Sequence, residues 1–318
     1  MPEPVLQIAS LIQDPRLAEA CGQWLRGGRY RLEPITTDQN PVAALDSRRE
    51  DFDAVLLEQG ALAQEIYAGL LERGLLLPAV VIGEVTGRTE YHDAEVHLPP
   101  DQLEQLVYSF DAALSRFLRR GLQGSGAPGG AGDPEVADRW KLANRLQGRL
   151  GYLGVYYKRD PSRFLRNLIP TEREELVRSL TRTYRDLLLS YFRDPAAANQ
   201  ALESFVNTAF FIDLPITKIV EIHVNLIDSF SSQLKLEGHR IEFLQDYRLA
   251  LIDVMAHLCE MYRRSIPPDP PVSPPDSSLD SPPDSPPARS PSTNSRSSSP
   301  PDLPIPSSPA PRSTPKDT

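Results

Sequence analysis

The feature that most limits the fold of this chain is a change of hydrophobic period along it. Through residues 1–120, short apolar runs alternate with stretches whose apolar residues recur every three or four positions. "VLQIASLI" (5–12), "YRLEPIT" (30–36), "DAVLLE" (53–58), "PAVVIG" (78–83) and "AEVHL" (94–98) have the length and branched content of strands. Between them, 15–26, 40–49 and 61–74 carry helical spacing, and 101–120 sets Leu103, Leu106, Val107, Phe110, Leu114, Phe117 and Leu118 on one face. Strands that alternate with helices pair in parallel, because each crossover returns the chain to the same end of the sheet. The connection over 84–93, "EVTGRTEYHD", is too short for a full crossover helix, so one turn or none is expected there.

After residue 161 the strand period disappears. "PTEREELVRSL" pairs Thr171 with Glu174 as a capping box, and Leu176, Leu180, Tyr184, Leu187, Leu188 and Tyr191 follow on one stripe. The "DP" at 194–195 restarts the chain for a helix carrying Ala201, Leu202, Phe205, Val206, Ala209 and Phe210. Pro215 opens a third, with Ile216, Ile219, Val220, His223, Leu226, Ile227 and Phe230 in register. A fourth, from Ile241 and Leu244 through Leu251, Val254, Met255, Leu258 and Tyr262, stops at Pro267. Four helices with short connections predict an antiparallel four-helix bundle. Residues 135–150 are also helical in pattern, whereas "YLGVYYKRD" (152–160) is rich in β-formers. That stretch is either an extended connector or a strand paired with the edge of another chain.

These readings divide the chain into an α/β domain at 1–120, a Gly-rich linker at 121–134, an all-α domain at 135–267 and a tail at 268–318. The tail holds more than half of the chain's 32 prolines and much of its serine. It has too little apolar surface to offset its ordering entropy, so a disordered Pro/Ser-rich segment is expected. Its Ser-Pro steps read as regulation or as linker drift. A net charge of −9 argues against a general nucleic-acid binder, which needs clustered Lys and Arg. The two cysteines, Cys21 and Cys259, lie far apart in helical patterns without metal-ligand neighbours, and both read as buried thiols in a reducing compartment. No charged-then-apolar leader opens the sequence and no run reaches about 18 apolar residues, so a soluble cytoplasmic protein with no membrane span is expected.

The first 120 residues resemble a response-regulator receiver, a flavodoxin-like parallel sheet. Phosphoryl transfer in a receiver needs an acidic pair after the first strand, an Asp at the end of the third, a hydroxyl ending the fourth, and a Lys before a Pro after the fifth. Here those places hold Ala9-Ser10-Leu11, Glu58, Gly83 and Leu98 before Pro99. Glu58 is therefore read as a degenerate receiver position, either a carboxylate facing solvent or a fixed mimic of the phosphorylated state. The half is a pseudo-receiver, with no catalytic residue and no metal site expected.

In the last helix, Asp246, Ala250, Asp253, His257, Glu260 and Arg264 line a second stripe at spacings of three or four. Small residues between charged ones leave room for a partner, although such a face is equally a solvated one. His257 on a four-helix bundle also admits a phosphotransfer reading, which makes a two-component output protein the alternative function. His223, on the apolar stripe, reads as a core histidine.

"YLGVYYKRDPSRFLRNL", "FVNTAFFIDLPITKIVEIH" and "YRLALIDVMAHLCEMYRRSIP" resemble the KaiA family of cyanobacterial circadian clock proteins. The resemblance is close over 135–267 and covers 1–120 as that family's divergent pseudo-receiver, while the tail after 267 departs from its pattern. It implies a homodimer without enzymatic activity that binds the C-terminal tail of the clock kinase KaiC and promotes its autophosphorylation. It further implies sequestration by KaiB in complex with KaiC, and in some members an oxidised quinone at the pseudo-receiver. On this reading Asp253, His257, Glu260, Arg264 and Leu214 line or border the KaiC-tail groove, and Leu153, Val155 and Tyr156 form an inhibitory or KaiB-side strand.

Overall fold

The first half winds as its alternation requires. A computed structural model of the chain describes residues 5–35, 40–123, 141–148 and 159–266. Strands β1 (Leu6–Ser10), β2 (Tyr30–Pro34), β3 (Ala54–Glu58), β4 (Ala79–Ile82) and β5 (Val96–Leu98) form one parallel sheet in the order β2-β1-β3-β4-β5. Helices α1 (Pro15–Trp24), α2 (Pro41–Ser47) and α3 (Ala61–Glu72) supply the first three crossovers. "AVLLE" and "AVVI" are apolar throughout because β3 and β4 are central strands covered on both faces. Asp14 and Asn40 cap α1 and α2, each followed by a proline at the first helical position, where no N–H is needed. Residues 84–93 form turns and no helix, so the chain reaches β5 directly. The buried carboxylate of Asp53 accepts from Gln7 N at 2.9 Å and ties the entry of β3 to β1.

Helix α4 (Leu106–Gln123) follows a single 3-10 turn and runs past the expected start of the linker. Residues 141–148 form a short helix, α5, expected as part of the helical domain. Arg145 of α5 pairs with Glu50 and donates to Phe52 O at 2.8 Å, so this helix is anchored to the residues leading into β3. Most of the linker, residues 151–158 and everything from 267 onward lie outside the described residues, and with them the expected tail and the expected strand residues Leu153, Val155 and Tyr156.

The four later helices are α6 (Pro170–Ser190), α7 (Pro195–Phe211), α8 (Ile216–Leu236) and α9 (Arg248–Ser265). α7 is the central element, packed on α6 and α9 and buried on nearly every side, from Ala197 to Phe211. Two local expectations fail. Thr171 and Glu174 make no capping box: Pro170 occupies the first turn, Ile169 is the cap, and the helix has begun before Thr171. Proline at that position supplies the fixed φ, and no side-chain cap is made. The fourth helix starts at Arg248, because Glu242–Tyr247 form 3-10 turns that carry Leu244.

The two halves share one apolar core. α4 lies on α7, and β5 also touches α7. A buried polar seam accompanies this contact. Gln105 Nε2 donates to Ser179 Oγ (2.8 Å) and Thr183 Oγ1 (2.9 Å), and Thr183 Oγ1 donates to Gln102 Oε1 (2.6 Å). Such a seam fixes register, since sliding one helix on the other strands its buried donors. Gly87, at φ 73, lets the 84–93 turn reach the first turn of α7, where any Cβ would overlap the Ala196–Ala197 peptide.

Candidate functional site

The end of the sheet that carries chemistry in a receiver is closed here by its own side chains. Glu58 accepts from Gln13 N at 2.8 Å and Asp14 N at 3.2 Å. It is a strap between β3 and the β1–α1 loop: the carboxylate is half-exposed at the strand end and takes two amides across it. Beside it, Gln59 accepts from Glu84 N at 2.7 Å and donates to Glu90 at 2.9 Å. A Cβ on Gly83 would overlap the Gln59 side chain, so Gln59 fills the place where a receiver's hydroxyl stands. Burial pushes the nearby Cys21 thiol up to about 11, leaving it inert. Among the described residues, no group of three or more His, Cys, Asp or Glu is placed to hold a metal ion.

On α9 the predicted residues do not converge on one groove. His257, Glu260 and Arg264 line a crevice of about 380 Å³ between α9, α7 and α4, facing Arg116, Arg119 and Glu203. Arg116 crosses this crevice to Glu203 at 2.6 Å. Glu260 takes hydrogen bonds from Arg263 and Arg264, both at 2.6 Å, which hold its carboxyl down to about 2. His257 Nδ1 lies 2.9 Å from Asp253 O; a carbonyl only accepts, so Nδ1 is the donor there. Asp253 stands apart, accepting from the Tyr191 hydroxyl. His223 is a core residue, its Nδ1 3.0 Å from the Tyr184 hydroxyl, with burial holding its pKa below the ordinary imidazole value.

Leu214 lies on the other flank of α9. It borders a groove of about 770 Å³ with Leu165, Arg166, Arg173, Asp213, Pro215, Ile216, Cys259 and Tyr262. Cys259 is exposed, contrary to its reading as a buried thiol: the packed face of α9 is Ala250, Val254, Leu258 and Met261, and Cys259 points away from it. The helical half also exposes several large apolar side chains. Ile216, Val220 and Val224 follow one another on α8 at four-residue spacing, and Leu249, Ile252 and Ile266 stand out on or beside α9. Sequence periodicity assigned some of these to a core; among the described residues they are instead exposed.

Asp213, Arg116 and Glu203 were not singled out from sequence. Asp213 alone left a trace, an acid where a helix ends two residues before Pro215 and where glycine is the usual choice.

Comparison with known proteins finds relatives over both halves. The family "Circadian clock protein KaiA, N-terminal domain" matches residues 6–121, and "KaiA C-terminal domain" matches 148–269. The circadian clock oscillator protein KaiA of Parasynechococcus marenigrum (strain WH8102) is 58% identical over 279 residues, 86% of this chain and 93% of that protein. The protein of the same name from Synechococcus elongatus (strain ATCC 33912 / PCC 7942 / FACHB-805) is 42% identical over 277 residues, 82% of this chain and 98% of that one. The solved C-terminal domain of Thermosynechococcus elongatus BP-1 KaiA is 49% identical, covering 31% of this chain and 94% of that one, with a TM-score of 0.29. No helix among the described residues is long and apolar enough to cross a membrane. With a sealed pseudo-receiver sheet, a helical half behind it and matches over both, the chain belongs to the KaiA family of circadian clock oscillator proteins.

Proposed function

We propose that this chain is a clock regulator that acts by binding and performs no covalent step of its own. It dimerises through its helical half, seats the flexible C-terminal tail of KaiC in the Leu214 groove, and so favours KaiC autophosphorylation. KaiB in complex with KaiC later removes it from the tail. The observation that carries this reading is the groove itself, whose apolar wall of Leu165, Leu214, Pro215 and Ile216 is rimmed by Arg166 and Arg173. Apolar surface with a few polar groups at its edge suits an extended peptide, which is fixed by side-chain anchors.

The exposed row Ile216, Val220 and Val224, with Ile252, supports the homodimer. Exposed apolar rows of this kind are covered most simply by a second copy about a two-fold axis. His257, Glu260 and Arg264, on the other flank of α9, form the border of the tail site toward α4, and Asp253 borders it from the side of Tyr191. Holding the tail shifts KaiC between two states through differential affinity alone, and a few kcal/mol suffices for that.

The test is KaiC phosphorylation. Adding the purified chain to KaiC with ATP raises the phosphorylated fraction, and KaiC lacking its C-terminal tail shows no response. An equal rise with tailless KaiC would remove the tail from the account.

A further inference from the structure

One residue beside the groove breaks a local rule. Asp213 has φ 56, the one non-glycine residue with positive φ among the described residues. It stands just past the end of α7, where Asp213 N reaches Phe210 O at 3.2 Å and Leu214 N reaches Ala209 O at 2.9 Å. That pair of bonds closes a Schellman motif, whose left-handed position is ordinarily glycine because a Cβ is disfavoured there. The backbone gains nothing from an aspartate. Its carboxylate does.

Asp213 Oδ1 takes Arg159 Nη1 at 2.8 Å, and Oδ2 takes Arg166 Nη1 at 2.7 Å. The Arg159 guanidinium is enclosed by the rings of Phe164, Phe210 and Tyr262 at 5.2, 4.8 and 4.9 Å. A cation packed among rings is partly stripped of water, so it depends on its counter-ion more than a surface arginine does. The same carboxylate thus joins α7, α9 through Tyr262, and the segment carrying Leu165 and Arg166, three of the parts that form the groove wall.

We propose that Asp213 is a positioning residue for the bound tail. By clamping Arg159 and Arg166 at a left-handed corner, it sets the distance between Leu214 on one wall of the groove and Leu165 on the other. This rests on the reading that the groove seats the KaiC tail, and it adds which residues fix the groove's shape.

The test measures binding of a fluorescently labelled KaiC C-terminal peptide to the full chain and to Asp213→Asn, Arg159→Met and the double variant. Asparagine tolerates the left-handed region, so Asp213→Asn removes the charge and leaves the turn. Each single variant is expected to raise the peptide Kd about tenfold, and the double variant to be no worse than the weaker binder, as for two residues in one network. Thermal midpoints stay within about 3 °C of the parent, and at saturating concentration both single variants still drive KaiC to the parent's phosphorylation plateau. Parent-like Kd values in the single variants, or fully multiplicative losses in the double, would overturn the assignment while leaving the tail groove standing. So would an affinity loss that appears only with a lowered midpoint and plateau, which is the mark of a merely structural residue. Failure of the parent itself to bind the peptide overturns the groove reading and this assignment together.

Discussion

The pseudo-receiver and the helical half handle their surfaces in opposite ways. At the end of the sheet, Glu58 and Gln59 accept from backbone amides, and Gln59 fills the space beside Gly83. On α8 and α9, Val220, Val224, Ile252 and Cys259 remain open. At that end of the sheet the carboxylate of Glu58 and the amide of Gln59 are spent on the chain's own groups. The helical half leaves these apolar side chains uncovered among the described residues. The difference is the ground for the proposal that function resides in what the helices bind, with the sheet as a body locked to them through Gln105, Ser179 and Thr183.

The contrast can be broken most severely on the helical side. Val220→Asp with Val224→Asp places two carboxylates in the proposed dimer contact, where an unpaired buried charge costs several kcal/mol. Sedimentation equilibrium should show the dimer weakened by more than about 100-fold. The circular dichroism spectrum should stay unchanged, since both residues face outward. An intact dimer would show that these rows serve something else.

The sheet side is probed by reopening the closed end. Gly83→Ser brings a Cβ into Gln59 and should cost about 1–3 kcal/mol in denaturant unfolding. Gln59→Ala in the same chain should recover most of that loss, which makes the pair a measure of how firmly the old site is filled. The smallest expected effect concerns pH. Burial holds His223 below the ordinary imidazole range, so the unfolded chain takes up its proton first as pH falls. Its contribution to stability is whole above about pH 6.5 and declines below it. Denaturant midpoints of the parent and His223→Gln should therefore converge or cross as pH drops from 7 toward 5; a constant gap would contradict this.

Much of this was legible from the sequence wherever neighbours along the chain decide the outcome. The five strands, the missing crossover helix over 84–93 and the vacant receiver positions all follow from local period and residue type. What stayed hidden depends on distant partners. Glu58 finds its amides at Gln13 and Asp14, which no spacing around Glu58 reveals. The stripe of α9 was visible as a stripe, but its other wall is α4, and Leu214 proved to lie on the opposite flank. Cys259 looked like core because a helical wheel shows two apolar sides alike, and only the packing of α7 says which one is covered. The capping box at Thr171 was a valid pattern overruled by the adjacent Pro170.

The claim that binding, with no covalent step, is this chain's means of action is tested most directly by following phosphate from labelled ATP. With KaiC and the chain together, all label should appear on KaiC, more of it than KaiC acquires alone, and none on the chain at any time. Label on the chain itself, at His257 or elsewhere, or a KaiC signal indifferent to its presence, would contradict the account.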